Sequence, residues 1–148
     1  MRTRKSPSSR ILPADRIWQG CPGASEEALR ALREFAGAEL PDEYYDFLSF
    51  SNGGEGPLSV QPYHFCADSA EDAKENKRAQ IYEEFFPGLF VFGSNGGGEY
   101  IAFDLRSSKP WPVVAIDMTN INLDESVLFI ADSFHSFLAM VGLESQDA

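Results

Sequence analysis

The sequence predicts an α+β fold, and three kinds of pattern predict it. Two amphipathic patterns in the first third of the chain are typical of short helices, three later runs rich in β-branched and aromatic residues are typical of strands, and a further amphipathic pattern closes the chain. The strand runs follow one another with turn residues between them. We therefore expect a mainly antiparallel sheet with helices packed around it, as a single domain over residues 25–148 after an N-terminal extension over residues 1–24.

Two helices at the start of the domain are predicted by the chemistry of their ends. Ser25 can cap the first helix, in "SEEALRALREFAG", because its hydroxyl can accept a hydrogen bond from a free N–H of the first turn. Pro41 suits the first position of the second helix, in "LPDEYYDFLSF", where no N–H partner is needed. Asn52, Gly53 and Gly54 supply the left-handed backbone that ends this helix. The short joint between the two helices predicts a helical hairpin or corner.

The middle of the chain predicts short strands and a surface helix. The stretch "GPLSVQPYHF" is typical of one or two short strands, which its prolines confine to an edge or a bend. In the polar stretch that follows, Ser69 and Asp72 have the spacing of a capping box. We therefore expect a surface helix over residues 70–85.

The last part of the chain predicts a meander and a closing helix. The runs "LFVFG", "EYIAFDL" and "WPVVAID" are each bounded by turn residues and predict three consecutive antiparallel strands. A long loop is expected over "MTNINLDESV". The apolar residues of "LFIADSFHSFLAMVGLE" then recur at helical spacing, which predicts one amphipathic helix packed on the sheet. They are Ile130, Phe134, Phe137, Leu138 and Val141.

Charge is unevenly distributed along the chain. The net charge is −11, but the first ten residues contain four of the 12 basic side chains and no acid, so residues 11–148 carry 8 basic and 23 acidic side chains, a net of −15. Such a body repels nucleic acid and anionic membranes and favours encounter with a basic partner. The alternative is that the acidity serves only to keep the protein dispersed. The basic, aperiodic first ten residues predict a mobile tail.

The sequence also bears on location. No apolar run approaches the roughly 18 residues that a membrane span needs, and no apolar segment of a signal peptide follows the basic N-terminus. We expect a cytoplasmic protein that contacts neither membrane nor nucleic acid directly. Cys21 and Cys66 lack a C-x-x-C spacing, and in that compartment they are expected to be free thiols.

The stretch "VFGSNGGGEYIAFDL" could be a phosphate-binding loop or the turn of a hairpin. A phosphate loop leads into a helix whose N-terminal amides bind the anion, whereas here a strand pattern follows. Glu99 also places a carboxylate where a Walker loop has its lysine. Asn95-Gly96 is typical of a two-residue hairpin turn, so we expect a hairpin.

The remaining candidates for chemistry do not assemble a site. His64 and Cys66 are alternate residues of one strand and could hold a metal, but zinc needs three or four ligands and no further cluster is spaced to supply them. His135 has an acid and Ser133 close by, but Ser133 at i−2 points elsewhere on a helix. The stretch from Asp117 begins like a calcium loop and then departs from that pattern. We expect no catalytic residue, no metal and no cofactor.

Three segments nevertheless follow a recognisable order: "LPDEYYDFLSFSNGGEG", "GLFVFGSNGGGEYIAFDL" with "PVVAID" after it, and "IADSFHSFL". Together they resemble the Smi/Knr-like family of the SUKH superfamily, over roughly residues 25–141. The family pattern runs from a Leu-Pro and an aromatic residue through Asn-Gly-Gly and a glycine-rich hairpin that ends in Asp, to a final Ser-Phe-x-x-Phe-Leu. The matching residues include Pro41, Tyr44, Asn52, Gly53, Gly54, Gly93, Gly96, Gly97, Gly98, Asp104, Phe134 and Phe137.

The resemblance implies both a fold and a role. It implies an α+β domain that needs no catalytic residue. Bacterial members resemble immunity proteins that bind and neutralise a toxin, often a nuclease, and fungal members resemble scaffolds of cell-wall assembly. The matching residues are mainly prolines, glycines and aromatics that shape turns and core, so they do not locate a binding face.

Two functions remain open at this point. The first is a non-catalytic protein-binding domain, an immunity protein whose acidic surface binds a basic toxin domain, with a scaffold unrelated to toxins as a variant of it. Its candidate contacts are Glu55, Glu99, Tyr100 and Asp117, each of which could equally be an ordinary solvated residue. The second is a small-ligand or enzymatic domain that uses a cleft between sheet and helices. Its available polar groups are Asn52, Asn95, Asp104 and His64.

Overall fold

The computed structural model describes residues 11–79, 87–119 and 126–145. Their centre is a seven-stranded antiparallel sheet in which the strands lie side by side in chain order. The predicted α+β class is therefore confirmed. The strands are β1 Gln19–Gly20, β2 Gly54–Pro57, β3 His64–Ala67, β4 Leu89–Ser94, β5 Glu99–Asp104, β6 Val113–Asp117 and β7 Val127–Ala131.

Four described helices accompany the sheet: α1 Glu26–Phe35, α2 Asp42–Phe50, α3 Ala70–Ala79 and α4 Phe134–Leu138. Ser25 caps α1 as predicted, since its Oγ accepts from the N–H of Ala28 at 3.0 Å. Pro41 lies one position earlier than predicted, at the N-cap of α2 with extended backbone. Ser69 caps α3 by accepting from the N–H of Asp72 at 3.0 Å, which is the spacing that the sequence indicated. Of the helix expected over residues 70–85, the part after Ala79 lies outside the described residues.

The predicted meander is present as β4, β5 and β6. Residues Glu99 to Phe103 of β5 pair in unbroken register with β6, from Asp117 to Val113. The hairpin between β4 and β5 differs in detail from the prediction, because its loop has four residues, 95–98, instead of two. Asn95 takes up the additional length by folding its side chain back over the loop, as described below.

The helix predicted for the C-terminal stretch is wrong in its first part. Residues Val127–Ala131 form β7 and pair with β6, and only Phe134–Leu138 form a helix, capped by Ser133. The β7 segment is rich in β-branched and aromatic residues, which suit a strand: Val127, Phe129 and Ile130. It forms the edge strand of the sheet next to β6. The apolar residues predicted to form one helical stripe therefore belong to two consecutive elements. Most of the loop predicted before them lies outside the described residues.

The main core lies between one face of the sheet and the four helices. It consists largely of aromatic rings in contact, and Phe92 of β4 is central to it. Its ring centroid lies 4.5 Å from that of Phe103, 5.5 Å from Tyr44 and 5.7 Å from Phe134. Phe137 packs edge-on against Phe65, with ring centroids 4.9 Å apart. A smaller apolar cluster occupies the other face of the sheet: Leu89, Val91, Ala102, Val114 and Ile116.

The segment before the predicted domain packs against it. Leu12 is fully buried in the main core. Trp18 stacks edge-on with Phe47, with ring centroids 5.6 Å apart, and its Nε1 donates to Ser51 Oγ at 3.1 Å. Ile17, the residue before Trp18, has 53% of its surface exposed. Residues 11–24 thus close one edge of the sheet through β1 and Trp18.

Candidate functional site

A row of directly opposed residues crosses the sheet from β2 to β5. Glu55 faces Cys66, Cys66 faces Ser94, and Ser94 faces Tyr100. Directly opposed residues of antiparallel strands point to the same side of a sheet. Glu55 and Tyr100 therefore share the face that lies opposite the helices. Three strand spacings separate them, or about 14 Å.

The other two predicted contacts form a pair on the opposite face. Glu99 and Asp117 are directly opposed on β5 and β6, one position beyond the row just described. Side chains alternate along a strand, so Glu99 points away from Tyr100 and towards the helical side, at the end of the sheet. The structure thus brings the four residues to one end of the sheet, but places two on each face.

The glycine loop between β4 and β5 closes on itself. Asn95 Oδ1 accepts hydrogen bonds from the N–H groups of Gly97, at 2.9 Å, and Glu99, at 3.1 Å. The N–H of Gly96 is bound by Ser94 Oγ at 3.1 Å. These amides are the groups that a phosphate would need, and side chains already occupy them. The loop is the turn of a hairpin, as predicted, and its Gly96 has a left-handed φ of +80°.

The loop lies over a cluster of three potential metal ligands. His64 Nε2 is 3.0 Å from Glu55 Oε1, and Cys66 Sγ is 3.7 Å from the same oxygen. All three ligand atoms lie within 4.8 Å of one another. A methyl group on Gly96 would lie 3.3 Å from Cys66 Sγ, so the loop approaches the cluster closely. Burial, with the nearby Glu55 carboxylate as a second cause, raises the pKa of the Cys66 thiol.

Sequence reasoning missed the third member of this cluster. His64 and Cys66 were identified as alternate residues of one strand, but Glu55 belongs to β2 and reaches them only through the pairing of Glu55 with Cys66. The available signal was the short distance along the chain between two short strands, which makes a β2–β3 hairpin the simplest connection. Register within that hairpin was not predictable from spacing alone.

Several residues of the recognised pattern support the fold. Asn52 Oδ1 accepts from the N–H of Ala70 at 2.7 Å, and its Nδ2 donates to Glu71 at 2.9 Å, so the turn formed with Gly53 and Gly54 is joined to the start of α3. Asp104 accepts from the backbone N–H and the guanidinium of Arg106, and these bonds lower the pKa of Asp104.

Gly93 and the aromatic members of the pattern serve close packing. A side chain on Gly93 would come within 2.4 Å of the carbonyl oxygen of Cys66, so only glycine permits the approach of β3 and β4 there. Tyr44, Phe134 and Phe137 are fully buried in the aromatic core. These members of the pattern therefore contribute to the packing of the strands and of the core.

A cleft lies beside α4 and the loop before β6. It has a volume of about 500 Å³ and is lined by Trp111, Phe134 and His135, among others. Its charged groups pair with each other: Glu43 Oε2 lies 2.9 Å from His135 Nδ1, and Lys109 binds Glu39.

None of the four polar residues suggested for a ligand cleft lines this cleft. Asn52 binds α3, Asn95 closes the glycine loop, Asp104 binds Arg106, and His64 contacts Glu55.

This arrangement of helices, meander and glycine hairpin can be compared with known families. The family model described as SMI1 / KNR4 family (SUKH-1) matches residues 23–140. The chain belongs to this family. A search of curated proteins gives no match. The match covers α1 to α4 and every described strand except β1, so the SMI1/KNR4 domain accounts for the aromatic core, the glycine hairpin and the ligand cluster. Within the described ranges, no helix combines the length and apolarity needed to cross a membrane.

Proposed function

We propose that this SMI1/KNR4 domain is an immunity protein that binds and neutralises a cognate bacterial toxin, a nuclease being one candidate, without catalysing a reaction. The observation that carries the proposal is the family match over residues 23–140. Bacterial members of this family resemble immunity proteins that bind and neutralise a toxin. The net charge of −15 over residues 11–148 supports it, since nucleases bind an anionic polymer and commonly present basic surfaces.

The contact surface in this proposal is the end of the sheet that carries Glu99 and Asp117. Like charges directly opposed in an antiparallel pair repel each other. Each carboxylate is held by a neighbour: Glu99 Oε1 accepts from Asn95 at 3.0 Å, and Asp117 Oδ1 accepts from both the N–H and the hydroxyl of Thr119. These bonds fix two negative charges near each other. An arginine or lysine placed between them would relieve the repulsion at little cost in side-chain entropy.

Glu55 and Tyr100 extend the proposed surface onto the other face. A partner that covers the exposed glycine loop would touch both faces at once, because the loop connects the strands at this end. Tyrosine supplies apolar area with a polar tip, which suits an interface. The carboxylates would give fast association that weakens as salt increases.

The proposal is tested by co-expression with the protein encoded immediately upstream of this gene. Protection of the cells from that protein, and a complex that survives purification, are the expected results. If the neighbouring protein is toxic and the domain neither protects against it nor binds it, the proposal is wrong.

A pair of charge variants locates the surface. Glu99→Gln combined with Asp117→Asn removes two charges from the proposed surface and should slow association at low salt by about ten-fold or more. Glu26→Gln combined with Glu27→Gln removes the same charge from the first turn of α1 and should leave the rate nearly unchanged. Equal slowing in both variants would show that only the overall charge matters.

A further inference from the structure

We propose that Glu55, His64 and Cys66 form a binding site for a single Zn²⁺ ion on the face of the sheet opposite the helices. The inference does not depend on the proposed toxin. It arises from the pairing of β2 with β3, which sets Glu55 directly opposite Cys66 and leaves His64 two residues earlier on the same face. One carboxylate oxygen, one imidazole nitrogen and one sulfur therefore converge from two adjacent strands.

The distances suit a tetrahedral ion. Zinc binds nitrogen, oxygen and sulfur at about 2.0–2.3 Å, so neighbouring ligand atoms of a tetrahedral site lie about 3.4–3.6 Å apart. The nitrogen–oxygen and sulfur–oxygen distances here are 3.0 and 3.7 Å, and no pair in the cluster exceeds 4.8 Å. Small rotations of three side chains would bring them into coordination. The side chains of His64 and Glu55 are 41% and 51% exposed, so those rotations are not blocked and the ion has a path from solvent.

The donor set selects the metal. A thiolate and an imidazole are ligands for Zn²⁺ and related transition ions, whereas Mg²⁺ and Ca²⁺ prefer sites made of oxygen alone. Three protein ligands leave one tetrahedral position open, which water would occupy. Binding would displace the thiol proton of Cys66 and replace the contact between His64 and Glu55 with coordination by the ion.

The surroundings hold two of the ligands in place. Phe65, between His64 and Cys66 on β3, is fully buried among the core rings, which anchors this part of the strand. Gly96 of the glycine loop lies above the cluster, where any side chain would reach Cys66 Sγ. The glycine therefore keeps the space beside the sulfur open. Its left-handed φ of +80° directs the loop into this position.

The test uses the full-length protein without a polyhistidine tag, freed of metal by a chelator and titrated with Zn²⁺ in a calorimeter. One ion per chain should bind. Cys66→Ser, His64→Gln and Glu55→Gln should each weaken the affinity at least about ten-fold, because the loss of even an outer hydrogen-bond partner of a ligand costs about 10–100-fold. The matched control is Cys21→Ser, which removes the other free cysteine, an exposed residue outside the cluster. It should bind zinc as the parent protein does.

Substitution with Co²⁺ gives an independent readout of the sulfur ligand. The parent protein and Cys21→Ser should show the charge-transfer absorption of a thiolate bound to Co²⁺, and Cys66→Ser should lack it. Circular dichroism establishes whether each variant is folded, and the spectrum of Cys21→Ser, in which Cys66 is the remaining cysteine, decides the question even if Cys66→Ser unfolds. The proposal is overturned if the parent protein binds no Zn²⁺ saturably, or if binding is unaffected by Cys66→Ser and His64→Gln.

Discussion

Asn52 at the end of α2 accepts a hydrogen bond of 2.7 Å from the backbone N–H of Ala70 at the start of α3. The first N–H groups of a helix have no partner within the helix, and side chains or water satisfy them. Ser69 satisfies one of them, and Asn52, eighteen residues before Ala70, satisfies another. A residue of the recognised family pattern thus caps a helix to which it is not adjacent in sequence, and this couples the turn after α2 to α3.

We expect Asn52→Ala to lower the free energy of unfolding by about 1 kcal/mol, within the range of about 0.5–2 kcal/mol for the loss of a cap. Urea denaturation monitored by circular dichroism measures the change. Ser25→Ala removes a cap that is local to α1 and serves as the control. Hydrogen exchange should show faster opening of α3 in Asn52→Ala and of α1 in Ser25→Ala. Unchanged exchange in α3 would contradict the coupling.

Gly96 and Gly98 allow a matched test of backbone conformation in one loop. Gly96 has a φ of +80° and lies close to Cys66, whereas a methyl group on Gly98 would meet nothing within 4 Å. Gly96→Ala should cost about 1–2 kcal/mol, because an L-residue in the left-handed region is strained. Gly98→Ala should be neutral or stabilise the protein by up to about 1 kcal/mol, since it restricts the unfolded chain. Equal effects in urea denaturation would show that the loop conformation differs from the one described.

Local chemistry predicted the fold class and most of the elements. The caps Ser25 and Ser69 lie where the sequence placed them, because a cap acts over three residues. The segment that begins at Val127 was predicted as helix because its apolar spacing suits a helix. It forms a strand because it pairs with β6. Whether such a segment forms a strand depends on the neighbouring strand with which it pairs, and a single sequence does not show that pairing.

The candidate site was less predictable than the fold. Glu99 and Tyr100 are adjacent on β5, so their side chains lie on opposite faces of the sheet and do not form one surface. The gathering of Glu55, His64 and Cys66 depended on register between two strands, and a slip of one residue would have sent Glu55 to the other face. Side-chain chemistry could be read from the sequence, but the distances between side chains on different strands could not.

Phe92 provides a test of the aromatic core. It is 1% exposed and contacts the rings of Phe103, Phe134 and Tyr44. Phe92→Ala should cost about 3–5 kcal/mol, because it removes apolar contact and leaves a cavity. Phe129→Ala is the control, since Phe129 is 61% exposed, and it should change stability by less than about 0.5 kcal/mol. Thermal and urea unfolding measure both. A small cost at Phe92 would contradict the central position of its ring.

Glu43 should control the protonation of His135. The Glu43 carboxylate accepts a hydrogen bond from His135 Nδ1, and this bond, followed by the negative charge of Glu43, raises the pKa of His135 above the usual histidine value. The folded state then binds the proton more tightly than the unfolded state. The pair's contribution to stability is complete below about pH 6.5 and is lost as the pH rises through the folded pKa. In an NMR titration, Glu43→Gln should lower the pKa of His135. Asp42→Asn, which neutralises the adjacent acid bonded to Arg33, should leave it unchanged.

The negative charge of the Asp68 side chain destabilises the folded state, so its removal should stabilise the protein. Burial, with the nearby Asp72 as a second cause, raises the pKa of Asp68 to about 6. A raised folded pKa means that the folded state holds the proton more tightly than the unfolded chain, whose aspartates titrate near about 3.9. Stability from this group is therefore greatest below about pH 4 and decreases as the pH rises through about 6.

Asp68→Asn should remove this pH dependence, because asparagine keeps the size of the side chain and has no charge to bury. At pH 8 the variant should be more stable than the parent protein, and at pH 4 the two should differ little. The exposed Asp132→Asn is the control for a simple change in net charge, and it should shift stability only slightly at either pH. Urea denaturation at pH 4, 6 and 8 measures the effect. A variant less stable than the parent at pH 8 would show that the Asp68 carboxylate makes a favourable contact that outweighs its burial.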